Sequence, residues 1–204
     1  MRQRMSSEER KAAIVEAAVR LFAEKGFRGT TTRELAAAVG VTEPVLYQHF
    51  QTKRDLYTAI IDRKSQEGLE KFRSRVERYL QMEDDRNFFL QLADLIIDWY
   101  SDDPAYSRLL LFSGLEGHEL AELSYERQAT VFLRIVAEYI ERRMKAGVLK
   151  SMDPELAARA FIGMFSHYAL NGVIFRCVDL HATRSTVIPA LVDIYLDGIR
   201  NPQE

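Results

Sequence analysis

Cysteine occurs only once in the 204 residues, at Cys177, so an intramolecular disulfide is excluded. With no metal-ligand spacing around it, Cys177 is expected to be a small buried hydrophobe, the alternative being a redox-sensing thiol. No run of 18 apolar residues occurs, and MRQRMSSEER lacks the apolar segment of a signal peptide. No membrane span is expected, and the chain is expected to stay in the cytoplasm. Internal repeats and low-complexity tracts are absent, and alternating strand patterns nearly so. No carboxylate pair, nucleophile–base set, metal cluster or glycine-rich phosphate loop is legible. An enzyme is therefore not expected, and no catalytic residue, metal ligand or cofactor is assigned.

Helix patterns fill the space that these absences leave. Hydrophobic residues make up 47% of the chain, enough to bury a sizeable core. Ser6 with Glu9 caps a first helix whose apolar positions Ile14, Ala17, Ala18, Leu21 and Phe22 recur at helical spacing, and Gly26-Phe27 ends it. Residues 31–55, TTRELAAAVGVTEPVLYQHFQTKRD, are the most informative part. Thr31 and Glu34 make a capping-box pattern for a short helix. Gly40 offers the positive φ of a tight turn, and Thr42 is placed to cap the next helix with Pro44 in its first turn. Leu35, Ala36, Val39, Val41 and Leu46 can fill the wedge between two such helices, which is the pattern of a helix-turn-helix. The second helix of that motif enters the major groove by its N-terminus. Thr42, Glu43 and Pro44 are therefore expected at the base edges, with Gln48 next and Tyr47 and His49 at phosphates. Thr52, Lys53 and Asp55 open another helix, where free N–H groups and the Lys53 ammonium suggest a phosphate site.

The stretch GFRGTTTRELAAAVGVTEPVLYQHFQTKRDLY resembles the DNA-binding domain of the TetR family of transcriptional regulators, YQHFQTKRDLY standing at that family's tyrosine, His-Phe and lysine signature. The resemblance covers about the first 60 residues. It implies a supporting first helix, a long fourth helix leading to a ligand domain, and a homodimer. Carried over by position, it implies phosphate contacts at Thr32, Tyr47, His49 and Lys53 and base contacts around Thr42, Glu43 and Pro44, with Arg33 beside them on the DNA side. One departure is Glu43-Pro44, where many members carry Ser, Lys, Arg or Gly. The Glu43 carboxylate would either accept from cytosine N4 or face solvent.

The formal net charge of -2 is polarised: residues 1–55 hold 10 Lys or Arg against 7 Asp or Glu, leaving 18 against 23 for the rest. One end can attract phosphate while the other repels it. Arg2, Arg4, Arg10 and Lys11 form either a basic arm or a frayed terminus. The expected organisation is all-α with about nine helices: a DNA-binding domain over 1–52 and a helical effector-binding and dimerisation domain over 53–204. The helix from Lys53 should run to about Tyr79, bent at Gly68. Gln91, Asp94 and Asp98 form a stripe expected to face solvent, and a long helix should span His118–Ala146.

In the second domain, AARAFIGMFSHYALNGVIF within 156–176 is apolar on nearly every side and so requires cover on more than one face. With 184–199 it could build a two-fold four-helix interface. His167 and Asn171 lie four apart beside Met164 and Tyr168. They are either core polar groups satisfied by neighbours or polar contacts in a pocket. Phe88, Leu92, Trp99, Phe112 and Phe132 complete the candidate lining for a small hydrophobic or aromatic effector, Ser113 being a further neutral polar group. The reading is a regulator, most simply a repressor, released from an inverted-repeat operator in double-stranded DNA. The alternative is a constitutive DNA-binding protein without an effector.

Overall fold

A computed structural model describes residues 6–117, 119–177 and 183–201. Among them the chain is helical throughout, in eleven α-helices, and its β-pairing is one isolated bridge between Leu149 and Arg200. The helices form two compact units. One comprises the described residues through Ser65 with Ala105–Arg127, the other Gln66–Pro104 with the described residues from Gln128 onward.

The first unit begins with α1 (Ser7–Gly29), opened by a reciprocal Ser6–Glu9 capping box and broken at Gly26, whose φ of +73° interrupts the helix one turn before its end. Its buried face is Ile14, Val15, Ala17, Ala18, Val19, Phe22 and Ala23. It is followed by α2 (Thr32–Ala38), α3 (Glu43–His49) and α4 (Lys53–Arg75). Leu56, Tyr57, Ile60 and Ile61 at the start of α4 are fully buried. Two more helices belong to this unit, α7 (Pro104–Leu115) and α8 (Glu119–Ser124). The Tyr57 hydroxyl lies 2.8 Å from Ser113 Oγ on α7 and 3.4 Å from Ser124 Oγ on α8.

The second unit contains α5 (Glu77–Met82), α6 (Asp85–Asp102), α9 (Thr130–Lys145), α10 (Pro154–Ala169) and α11 (Arg184–Ile199). Its core is an aromatic cluster. Phe88 stacks on Tyr139 at 4.0 Å, Phe89 tilts on Phe161 at 4.7 Å, and Phe161 meets Tyr195 edge-on at 5.0 Å. Such ring pairs add to the stabilisation from area burial alone.

Several boundaries differ from those the sequence suggests. The fourth helix stops at Arg75, not near Tyr79, because fully buried Val76 anchors a tight turn in which the Tyr79 N–H reaches its carbonyl at 3.0 Å. Gly68 sits in a crowded place: a Cβ there would lie 2.8 Å from Trp99 Cζ3 and 3.2 Å from Phe132 Cζ. The helix expected from His118 divides into α8, a wider π turn over Tyr125–Ala129, and α9, with His118 itself outside the described residues. Ser65 Oγ donates to the Arg127 carbonyl at 3.1 Å, taking up an acceptor of that widened turn. The helix from Asp153 becomes a π turn at Leu170–Ile174, and Cys177 beyond it is exposed, not buried. Asp94 and Asp98 are not a free solvent stripe. They pair with Arg75 and Arg184, Arg75 Nη2 to Asp94 at 2.9 Å and Arg184 Nη2 to Asp98 at 2.7 Å. Burial pushes the Asp98 carboxyl up, but the hydrogen bonds from Arg75 and Arg184 outweigh it and hold it below the usual range.

Candidate functional site

The expected reading device is assembled from self-satisfied parts. At the head of α2 the Thr31 hydroxyl accepts from the Glu34 N–H at 3.2 Å, while the Glu34 carboxylate accepts from the Thr31 N–H at 2.8 Å. Lys25 donates to the same carboxylate at 2.6 Å, tying α1 to α2. That hydrogen bond, with those from Thr31, holds the Glu34 carboxyl at about 2. At the other end Gly40 takes φ +69°, and the Val41 N–H turns back to the Ala36 carbonyl at 3.0 Å. A Cβ on Gly40 would meet nothing, so its need for glycine is conformational rather than steric.

Thr42 then opens α3 through its backbone, its carbonyl accepting from Val45 and Leu46 N–H. Its hydroxyl makes no capping bond, contrary to expectation. The N-cap oxygen normally accepts from the second or third helical N–H; here the second helical residue is Pro44, which has none, and the third, Val45, donates to the Thr42 carbonyl at 3.0 Å instead. Leu35, Ala36, Leu46 and Phe50 are buried beneath, while Arg33, Thr42, Pro44, Tyr47 and Gln48 are exposed and Thr32, Glu43 and His49 are half-buried. Eight of the nine residues expected at DNA thus lie on α2, on α3 or immediately before α3.

Three of the nine make contacts that the sequence did not reveal. The Thr32 hydroxyl donates to the Glu43 carboxylate at 2.7 Å, joining the heads of α2 and α3, so Glu43 neither stands free in solvent nor leaves Thr32 uncommitted. Lys53, the ninth, turns its ammonium onto the carbonyls of Phe27 and Thr30, the latter at 2.7 Å. The cation sits 4.1 Å from the centroid of the Phe27 ring, and burial lowers its pKa. Arg10 and Lys11 lie on α1; Arg2 and Arg4 are outside the described residues.

The expected effector-lining residues are dispersed. Phe88 and Leu92 are sealed in the second unit's core, at 0% and 2% exposure. Trp99 and Phe132 are half-buried, with ring centroids 6.3 Å apart, beside Gly68. Met164 and Tyr168 pack partly buried against the core. Phe112 belongs to the first unit, and its neighbour Ser113 is the hydroxyl at Tyr57. His167 is neither a core group nor enclosed: it is exposed, with Nε2 at 2.9 Å from Asn171 Nδ2. Among the described residues no group of His, Cys, Asp or Glu could hold a metal ion, and no helix is long and apolar enough to cross a membrane.

Comparison with known proteins agrees with this geometry. Residues 14–60 match the family described as bacterial regulatory proteins, tetR family, and residues 101–198 match the AefR-like transcriptional repressor, C-terminal domain. The chain is 32% identical over 196 residues to the HTH-type transcriptional regulatory protein RaaS of Mycobacterium tuberculosis, covering 92% of this chain and 85% of that one. Its fold is similar to the fatty acid degradation regulator FadR from Bacillus halodurans (TM-score 0.69, 21% identity, 96% and 95% coverage). It is also similar to AibR in complex with isovaleryl coenzyme A and operator DNA (TM-score 0.61, 24% identity, 91% and 97% coverage). With the capped α2–Gly40–α3 device in place and these matches spanning both units, the chain belongs to the TetR family of transcriptional regulators.

Proposed function

We propose that the protein is a homodimeric repressor that holds an inverted-repeat operator through α3 and is released by a small, largely apolar effector. The observation that carries the DNA half is the exposed row Thr42, Pro44, Tyr47 and Gln48 on and beside a helix whose other side, Leu46 and the following Phe50, is locked into the core. Base edges fall to Thr42, Pro44 and Gln48, phosphates to Arg33, Tyr47 and His49. One recognition helix covers too few base pairs for a specific site, so two copies are required.

The dimer face is best supported on α10 and α11. Leu156 and Ile194 are 67% and 65% exposed, and Ala160, Gly163 and His167 continue the Leu156 face at spacings of four, three and four. Exposed apolar side chains beside small residues suit close helix packing against a second copy. The His167–Asn171 pair belongs to this face in our reading rather than to a pocket.

For the effector, half-buried Trp99, Phe132, Met164 and Tyr168 are the best candidates, since Phe88 and Leu92 are already covered. The carboxylates of Asp94 and Asp98 are neutralised by arginines, which favours a neutral or anionic apolar molecule over a cation. AibR holds isovaleryl coenzyme A, an anionic molecule whose short acyl group alone is apolar. An effector releases DNA by binding better to the conformation that fits DNA worse. The test is fluorescence anisotropy on a bound operator with fatty acids, acyl thioesters and aromatic acids titrated in. Release by one class, blunted in Phe132→Ala with unliganded DNA affinity intact, is the expected result. Release by none of these, or equal release from Phe132→Ala, refutes the effector reading.

A further inference from the structure

Glu43 stands among Thr42, Pro44 and Gln48 on the reading face without a role of its own. It is the first residue of α3, half-buried between exposed neighbours. The Thr32 hydroxyl donates its one proton to Glu43 Oε2 at 2.7 Å, so the head of α2 holds the carboxylate at the entrance to α3. Both helices are seated in the core beneath this bond, α2 by Leu35 and Ala36 and α3 by Leu46. Among the described residues no cation pairs with Glu43, and its Oε1 has no protein donor. A carboxylate in this place opposes the phosphates of every duplex, whatever its sequence. Only a donor on a base edge can offset that.

The major groove presents two such donors, the amino groups of adenine N6 and cytosine N4. The adenine amine lies between two acceptors, its own N7 and the O4 of the paired thymine, and both repel a carboxylate. The cytosine amine has an acceptor, the O6 of its paired guanine, on one side only. We infer that Glu43 is a specificity-determining residue whose carboxylate, oriented by Thr32, accepts from the N4 amine of one cytosine in each half-site. This rests on the DNA-binding role of α3, and its test separates the two. A site with that cytosine gains a charge-assisted hydrogen bond, while a site without it keeps an uncompensated negative charge in the groove, so attraction and repulsion discriminate together. The Thr32 backbone N–H, at the head of α2 where no intrahelical acceptor exists, remains for phosphate.

Sites are selected from random duplexes with wild type, Glu43→Gln, Glu43→Ala and Thr32→Val, and affinity is measured on the wild-type consensus and on an unrelated duplex, with the folded fraction checked by circular dichroism. Glu43→Gln removes the charge but keeps an acceptor for Thr32. Wild type is expected to enrich cytosine at one position of each half-site. Both Glu43 variants lose that preference at that position alone, and glutamine turns it towards adenine, whose N6 and N7 it can meet together. Affinity for the consensus falls by about tenfold or more, one contact being lost in each half-site, while the unrelated duplex is bound more tightly. Thr32→Val relaxes the same position, which loss of a phosphate contact alone would not do. A carboxylate turned to solvent or phosphate behaves differently: Glu43→Gln would strengthen both duplexes alike or change neither, and the consensus would stand. Either pattern overturns the inference, as does a wild-type preference for another base at the affected position, and an unaltered cytosine in Thr32→Val overturns the part given to Thr32. Glu43→Ala decides the matter alone should Glu43→Gln not fold. Failure of wild type to enrich any site would instead remove the DNA reading itself.

Discussion

Asp85 offers the sharpest stability test in the second unit. Its carboxylate accepts from the Tyr139 hydroxyl at 2.6 Å and from Arg143 Nε and Nη2 at 2.8 and 3.1 Å, with both charged residues only 8% exposed. Arg143 has one other carboxylate, Glu83 at 2.7 Å, whose side chain is 51% exposed and so contributes less. Asp85→Ala leaves a buried guanidinium with that single partner and a buried tyrosine hydroxyl with none. Breaking a buried pair costs about 3 to 5 kcal/mol. The orphaned hydroxyl adds part of its own penalty of about 1 to 3 kcal/mol, incompletely because the groups share one network. A loss near 4 kcal/mol corresponds to a fall in Tm of about 8 to 16 °C for a chain of this size. The assay is thermal unfolding by circular dichroism at one fixed chain concentration, since a dimer's stability depends on concentration. Arg143→Met should cost a similar amount, and the double variant much less than the sum. A single-variant loss below about 1 kcal/mol, or strict additivity, would show that water already serves these groups and refute the reasoning.

Two further outcomes follow from the packing. Gly68→Ala, which in an open helix would stabilise by about 1 kcal/mol, is expected to destabilise by up to about 2 kcal/mol, because the added Cβ meets Trp99 at 2.8 Å. A raised Tm would contradict the close approach. Ile194→Asp should convert the dimer to monomer in sedimentation at micromolar concentration with its helical circular dichroism intact. A persisting dimer would move the interface away from α11.

Legibility in the sequence followed the range of the interactions. The capping boxes at Ser6–Glu9 and Thr31–Glu34 and the Gly40 turn depend on residues within five positions of one another, and the sequence placed them correctly. The Lys53 tie to Phe27, 26 residues away, and the Asp94–Arg184 pair, 90 apart, carry no local signal: a lysine or aspartate on a helix reads as solvated until the fold brings its partner near. Glu43 was legible as unusual, but its Thr32 partner was not. Aromatic residues at helical spacing look alike whether they seal a core, as Phe88 does on Tyr139, or stay half-open, as Trp99 does. Most of the failed helix ends share a cause. Val76 and the π turn at Tyr125–Ala129 contain neither proline nor glycine, so nothing in the local pattern marks the change of winding; the π turn at Leu170–Ile174 does hold Gly172.

The central claim, that α3 reads DNA as one half of a two-fold dimer, is tested most directly by selecting binding sites from random duplexes with wild type and with Thr42→Ala and Pro44→Gly. Wild type is expected to enrich an inverted repeat with half-site centres about 34 to 36 Å apart, or a multiple of one helical turn. Each variant should change the base preference at positions within the half-site while keeping the symmetry and spacing. An unchanged consensus from both variants, or enrichment of no symmetric site by wild type, would contradict the account.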